Sequence, residues 1–223
     1  IYEDNFQYKK AVYYYKGYLE LEPDSFEVLY YIGNCYNMLD ELDHAQEYYR
    51  KSLDIEPFNA SVFHGIASVY YKMKEYSDAL FYSKRAILID NDNAKFYVLY
   101  GKASSKMNKR KQAVKAYRKT VDIKPQLTYY WILLTDELIR QNDYERCLRY
   151  LHESLEFHDN SPSILFRIAA LYYKKGNTKI TLQYFKQAIA LDKKLSHEFF
   201  NLSPEAKSST AINKILNDQT IKK

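Results

Sequence analysis

Cysteine is nearly absent from this chain: two residues, Cys35 and Cys147, in 223. Two thiols make no disulfide framework, and their scarcity fits a reducing compartment. Glycine and proline are equally scarce, five of each. An all-β sandwich or barrel turns every roughly 8–12 residues and draws on both far more heavily. The same counts exclude collagen-like and extended disordered chains. Long apolar runs are missing too. The candidate stretch Pro125 to Thr135 has 11 uncharged residues, and no uncharged run reaches the roughly 18 that a transmembrane helix needs. The sequence opens on Ile1 rather than Met, which reads as a processed chain or a fragment, so a missing signal peptide carries no information.

Catalytic signatures are also wanting. His152-Glu153 is followed by His158, six residues after the first histidine where a zinc-protease helix needs four. Histidines 44, 64, 152, 158 and 197 show no ligand spacing and read as surface or interface residues. Gly101-Lys102 lacks the upstream glycine and the following Ser/Thr of a phosphate loop. No G-x-S-x-G elbow is present. Cys35 and Cys147 occupy helical packing positions and read as small buried hydrophobes. These readings predict no enzyme, no cofactor and no metal. The sequons at Asn59 and Asn201 matter only in a secreted chain.

Tyrosine is abundant instead, 25 residues beside 11 Phe and one Trp. Net charge is +5, unevenly spread. Residues 1–60 hold 12 acids and 5 bases, −7; residues 61–223 hold 16 acids and 28 bases, +12. The two ends should attract opposite partners or each other.

Self-similarity organises the rest. Pro23, Pro57 and Pro125 are separated by 34 and then 68 residues, twice 34. With residue 26 as position 1, the first repeat carries Leu29, Ile32-Gly33, Tyr36, Ala45, Tyr49 and Pro57. The next has Phe63, Ile66-Ala67, Tyr70, Ala79 and Ala86; the third has Tyr97, Tyr100-Gly101, Ala113, Tyr117 and Pro125. Repeat 128–161 is more worn: Trp131 and Leu134 fit, but Thr135, Leu138 and Cys147 replace Gly, Tyr and Ala. Repeat 162–195 has Leu165, Ile168-Ala169, Tyr172, Thr181 and Phe185. Apolar residues at 29, 32, 36 and 39 have helical spacing, as do those of 42–55. Position 15 reads Asp40, Lys74, Asn108, Asn142 and Gly176, mostly residues that tolerate a left-handed helix end. Mid-helix Gly33 and Gly101 predict close helix approach. The pattern resembles the tetratricopeptide repeat (TPR) over roughly residues 1–195. The resemblance implies an all-α, right-handed TPR superhelix of antiparallel helix pairs.

The expected helices are 26–39 and 42–55, 60–73 and 76–89, 94–107 and 110–123, 128–141 and 144–157, and 162–175 and 178–191. Residues 1–25 read as a partial repeat, with Tyr2 closing a first helix and Phe6 to Leu21 forming the second. The expected domains are thus a partial repeat, 1–25; five TPR repeats, 26–195; and a C-terminal cap, 196–223. In the cap a helix starts at Ser196, another starts after Ser203-Pro204, and the tail from Asp218 frays. The truncated first repeat reads as the C-terminal part of a longer array.

In the TPR family the first helix of each repeat lines a concave groove, through positions 2, 5, 9, 12 and 13. Transferred to this chain, these positions hold six bases against Glu27 and Asp136, a net +4, interleaved with tyrosines. The groove residues expected to bind are Tyr30, Asn34, His64, Tyr71, Lys72, Lys95, Lys102, Lys106, Tyr129, Arg140, Tyr173 and Lys174. Between Asn93 and Val121 there are nine bases and no acid. The expectation is a non-catalytic protein-binding scaffold taking an acidic or aromatic peptide segment, although a solvated face accounts for the same charges. A nucleic-acid-associated repeat is the less favoured alternative, beside a regulatory or assembly module of an enzyme complex. A chaperone-tail clamp is disfavoured, because only Asn34 matches while Gly65 and Leu99 depart. The run Phe63-His64-Gly65-Ile66 followed by Tyr70-Tyr71-Lys72 is similar to large TPR proteins of Bacteroidetes bacteria, which implies a cytoplasmic bacterial protein. The partner, the pathway and the oligomeric state stay open at this level.

Overall fold

Five left-handed residues punctuate the chain at one spacing. Asp40 (φ 58°), Lys74 (66°), Asn108 (58°), Asn142 (56°) and Gly176 (73°) stand 34 apart. Each closes a helix in the same way. The amide after it bonds five residues back, as in Glu41 N–H to Tyr36 O, and its own amide bonds three back, as in Asp40 N–H to Asn37 O. That pair of bonds is the Schellman motif, which satisfies carbonyls that the helix end would leave bare. The turn chemistry at position 15 thus sets every hairpin.

The computed structural model describes residues 2–158 and 160–218, with the backbone alone for residues 2–5. The expected behaviour of residues 219–223 and the placement of Ile1 and Asp159 lie outside the described residues. No strand occurs among the described residues. The chain forms two compact units, Ile1–Ile123 and Lys124–Lys223. The first holds α1 (Tyr2–Leu19), α2 (Phe26–Met38), α3 (Leu42–Ile55), α4 (Ala60–Lys72), α5 (Tyr76–Ile89), α6 (Ala94–Lys106) and α7 (Arg110–Ile123). Each of these helices packs on its sequence neighbour, and α4 also touches α2 and α6. The second unit holds α8 (Thr128–Arg140), α9 (Tyr144–Ser154), α10 (Pro162–Lys174), α11 (Thr178–Asp192), α12 (Ser196–Leu202) and α13 (Thr210–Asn217). Here α10 packs on α9, α11 and α12, and α13 packs on α11.

Three boundaries differ from the sequence reading. α1 is one helix from Tyr2 to Leu19, with no turn between Tyr2 and Phe6. Position 15 of that leading segment is Phe6, and an aromatic side chain does not favour the left-handed turn that Asp, Asn or Gly permits. α9 stops at Ser154 rather than 157, where the Ser154 hydroxyl donates to Leu151 O (2.6 Å) instead of leaving that carbonyl to the helix. After Ser203-Pro204 the chain makes a 3₁₀ turn, Pro204–Ser208. The next α-helix starts only at Thr210, where Ser209 Oγ accepts from Ile212 N–H. Ala206 and Ile212 are buried, with Ile215 and Leu216 packed against the Phe166–Phe185–Phe199 cluster.

Small residues set the helix spacing. Ala45, Ala79 and Ala113 are fully buried, as are Cys147 and Thr181 at the same position. Tyr49 is fully buried, and a Cβ at Gly33 or Gly65 would lie 2.6 and 2.5 Å from its ring. Gly101 relates to Tyr117 in the same way, at 2.5 Å. A glycine is therefore where a tyrosine ring lies flat against a helix backbone.

Candidate functional site

Tyrosines at positions 11 and 23 stack within a repeat: Tyr36 on Tyr48 (5.6 Å), Tyr70 on Tyr82 (5.3 Å) and Tyr172 on Tyr184 (6.2 Å). Stacked pairs contribute about 0.5–1.5 kcal/mol beyond the area they bury. A basic side chain from the preceding helix meets two of these stacks. Lys16 Nζ lies 5.5 Å from the Tyr36 ring and 5.7 Å from Tyr48, and His152 lies edge-on to Tyr172 and Tyr184. Much of the tyrosine excess therefore serves packing.

The groove candidates fall into distinct settings. In the first unit α2, α4 and α6 lie side by side, joined by Asn37 Nδ2 donating to Ser68 Oγ (3.3 Å). Tyr30 is half-buried against Tyr49 and Tyr31. Asn34 accepts from the Tyr49 hydroxyl at 2.7 Å, so its carbonyl is committed to the fold. His64 stacks 5.0 Å from Phe96 with Nδ1 buried and unpartnered. Burial, helped by Lys95, pushes its pKa down to about 4. Tyr71 meets Tyr76 ring to ring at 5.4 Å. The Lys72 ammonium donates to Asn37 O and to Asp40 Oδ1 (2.7 Å), tying α4 to the end of α2. Lys95 and Lys106 are exposed, without an ion-pair partner among the described residues, and Lys102 is half-exposed.

The second unit holds the other four. Tyr129 is half-exposed beside Tyr130 (5.8 Å). Arg140 donates to Glu137 (2.7 Å), a carboxylate almost wholly buried. Tyr173 meets Phe199 of α12 edge-on at 6.1 Å, so α12 covers part of its ring. Lys174 is exposed.

One residue outside the expected set stands out in this unit. Arg167 is buried, pairs with Asp136 and lies 3.9 Å from Glu198, whose other oxygen accepts from Ser163 Oγ at 2.8 Å. Asp136 is therefore neutralised within the protein rather than facing a ligand. Spacing alone does not reveal Arg167, because the same position holds Tyr31, Gly65, Leu99 and Leu133 in the other repeats.

Family models for the tetratricopeptide repeat match residues 26–59, 60–93, 94–127 and 162–195. The chain belongs to the TPR family. Its fold is the all-α TPR solenoid, and similar solved structures agree. YrrB, a TPR protein with an unusual peptide-binding site, is 18% identical; the match covers 86% of this chain and 97% of that one, with a TM-score of 0.66. MamA is 15% identical over 84% of this chain and 97% of its own, TM-score 0.64. PilF of Pseudomonas aeruginosa is 18% identical over 91% and 99%, TM-score 0.64. No curated protein matches the sequence. TPR domains generally mediate protein–protein interaction, and TPR scaffolds are generally non-catalytic. No described helix is long and apolar enough to cross a membrane.

Both TPR-position cysteines are free and buried. Burial raises the Cys35 thiol and pushes Cys147 up to about 12. A thiol held protonated is a poor nucleophile. Neither cysteine of the native chain should react with a thiol-disulfide reagent at neutral pH, and both should react in denaturant. Stoichiometric labelling of Cys147 in the native protein would contradict this.

Proposed function

We propose that this chain is a non-catalytic scaffold that binds an acidic or aromatic peptide segment along first helices of its repeats, α2, α4 and α6. The observation that supports it is the side-by-side run of α2, α4 and α6, with Tyr30 on α2 and Lys95 and Lys106 at the two ends of α6. Lys95 and Lys106 have no ion-pair partner among the described residues, whereas Lys72 and Arg140 already neutralise acids of the protein. The cationic part of the face therefore rests on fewer side chains than the sequence count of six. Charge at such a rim sets association rate and salt dependence, and half-buried rings contribute contact area. The YrrB precedent, a TPR protein with a peptide-binding site, points the same way.

This reading takes residues 26–195 as five repeats, including 128–161, with a partial repeat in 1–25 and a cap in 196–223. It keeps the likeness of the Phe63–Lys72 run to TPR proteins of Bacteroidetes, and a cytoplasmic setting.

An array of acidic and aromatic peptides tests it. Lys95→Glu with Lys106→Glu should weaken the bound peptides about tenfold, or about 1.4 kcal/mol, and flatten the salt dependence. Unchanged array binding would remove the proposal. Salt-sensitive retention on a single-stranded oligonucleotide, with no peptide bound, would favour the nucleic-acid alternative.

A further inference from the structure

One surface of the first unit shares no residue with the proposed groove. Between α3, α4 and α5 lies a cleft of about 240 Å³. Leu53, Pro57 and Phe63 supply its apolar wall, and Arg50 and Arg85 meet there with Tyr82.

The two guanidiniums are held but not neutralised. Arg50 Nη2 donates to Gln46 Oε1 (3.3 Å), and the Arg85 guanidinium lies 4.6 Å from the centre of the Phe63 ring. Stacking on a ring fixes the guanidinium plane and leaves its N–H edge for an anion. Among the described residues neither arginine has a carboxylate within ion-pair distance. Asp78, which approaches Tyr82 from the same helix, accepts instead from Ser77 Oγ at 3.2 Å. Glu47 pairs with Lys51. Tyr82 is fixed between Phe63 (6.3 Å) and Tyr70 (5.3 Å), and its hydroxyl has no hydrogen-bond partner among the described residues. Burial raises its pKa, while Arg50 and Arg85 both act against that rise, so both charges bear on one hydroxyl.

The geometry points to a site for one acidic side chain of a peptide, its carboxylate between Arg50 and Arg85 and a neighbouring aliphatic side chain on Leu53 and Pro57. A planar carboxylate matches a guanidinium edge through two parallel hydrogen bonds. The apolar wall asks for an aliphatic group beside the anion, which inorganic phosphate lacks. A cleft of about 240 Å³ is on the scale of a pair of side chains, not of a folded domain. This assignment does not depend on the groove, and Lys95→Glu with Lys106→Glu should leave it unaltered.

The test is titration of the whole chain, labelled with ¹⁵N, with acetyl-Leu-Glu-Leu-amide, acetyl-Leu-Gln-Leu-amide and sodium phosphate in separate runs. The glutamate peptide should shift the Arg50 and Arg85 Nε–H signals, and the glutamine peptide should need about tenfold more for the same shift. Arg50→Gln should weaken the glutamate peptide about tenfold without moving the thermal melt, since Arg50 is exposed and, among the described residues, bonded only to Gln46. Arg85→Lys keeps the charge and loses the planar fork, so it should weaken binding several-fold. Equal response to the two peptides, or none at millimolar concentration, overturns the assignment. So does phosphate acting as well as the glutamate peptide, which would mean an adventitious ion only.

Discussion

Tyr49→Ala should cost the first unit about 3–5 kcal/mol, the range for emptying a buried aromatic site. Tyr49 is fully buried, and its ring occupies the volume that a side chain at either Gly33 or Gly65 would fill. Gly33 is on α2 and Gly65 on α4, so the ring joins helices of successive repeats. Its removal leaves a void flanked by two glycines, which have no side chains to fill it. The hydroxyl contributes separately: Tyr49→Phe leaves Asn34 Oδ1 without its 2.7 Å bond and should cost about 1 kcal/mol. Gly65→Ala attacks the same joint from the other side. Alanine gains about 1 kcal/mol of helix propensity, but a Cβ 2.5 Å from Tyr49 Cζ forces an enclosed ring to move, which costs about 1–3 kcal/mol. Gly17→Ala is the control, since nothing lies within 4 Å of a Cβ there, and it should stabilise. Urea unfolding followed by circular dichroism reads all four. Equal midpoints for Gly17→Ala and Gly65→Ala would show that the tyrosine does not set the helix spacing.

That joint was half-legible in the sequence. Position 8 reads Gly33, Ala67, Gly101, Thr135 and Ala169, while position 24 reads Tyr49, Ser83, Tyr117, Leu151 and Phe185. Glycine accompanies tyrosine, and larger residues return where the partner is shorter. Thr135 opposite Leu151 thus explains the worn fourth repeat: Cys147 fills the small position, with Sγ 3.7 Å from Thr135 O. Hairpins were legible because position 15 carries turn chemistry that acts locally. The first and last segments departed for the same reason, with Phe6 in the turn position and Ser209 rather than Ser203 providing the side-chain cap.

The candidate site was less legible, because the spacing that places a residue on a helix does not say what neutralises it. Lys72 and Asp40 are 32 residues apart, and only the stacking of α4 on α2 makes them a pair. Arg140 turns back three residues to a buried Glu137, and Tyr173 meets a cap helix outside the repeat frame. Arg50 on α3 and Arg85 on α5 lie outside the family pattern, which points to first helices. A cleft between α3, α4 and α5 depends on three segments and leaves no short motif.

Acid should destabilise the first unit by about 3 kcal/mol between pH 6.5 and pH 4 through His64 alone. The folded-state pKa, about 4, lies below the ordinary value of 6.5, and each unit of separation corresponds to about 1.4 kcal/mol. The sign follows from proton counting. Below pH 6.5 the unfolded chain binds a proton at His64 that the folded chain refuses, so falling pH favours unfolding. The effect is absent above pH 6.5 and complete below about pH 4, where both states are protonated. Its causes are visible: the ring lies on Phe96, Nδ1 has no partner, and Lys95 stands near on the next helix. His152 has a lowered pKa in the second unit and titrates in the same direction, so total stability alone does not isolate His64. Two measurements do. The His64 ring protons followed by NMR should titrate near pH 4. His64→Gln, neutral at every pH, should remove the His64 share of the acid-induced loss of stability. A His64 midpoint near 6.5, or an unchanged loss in His64→Gln, would show that the ring is solvated rather than packed against Phe96.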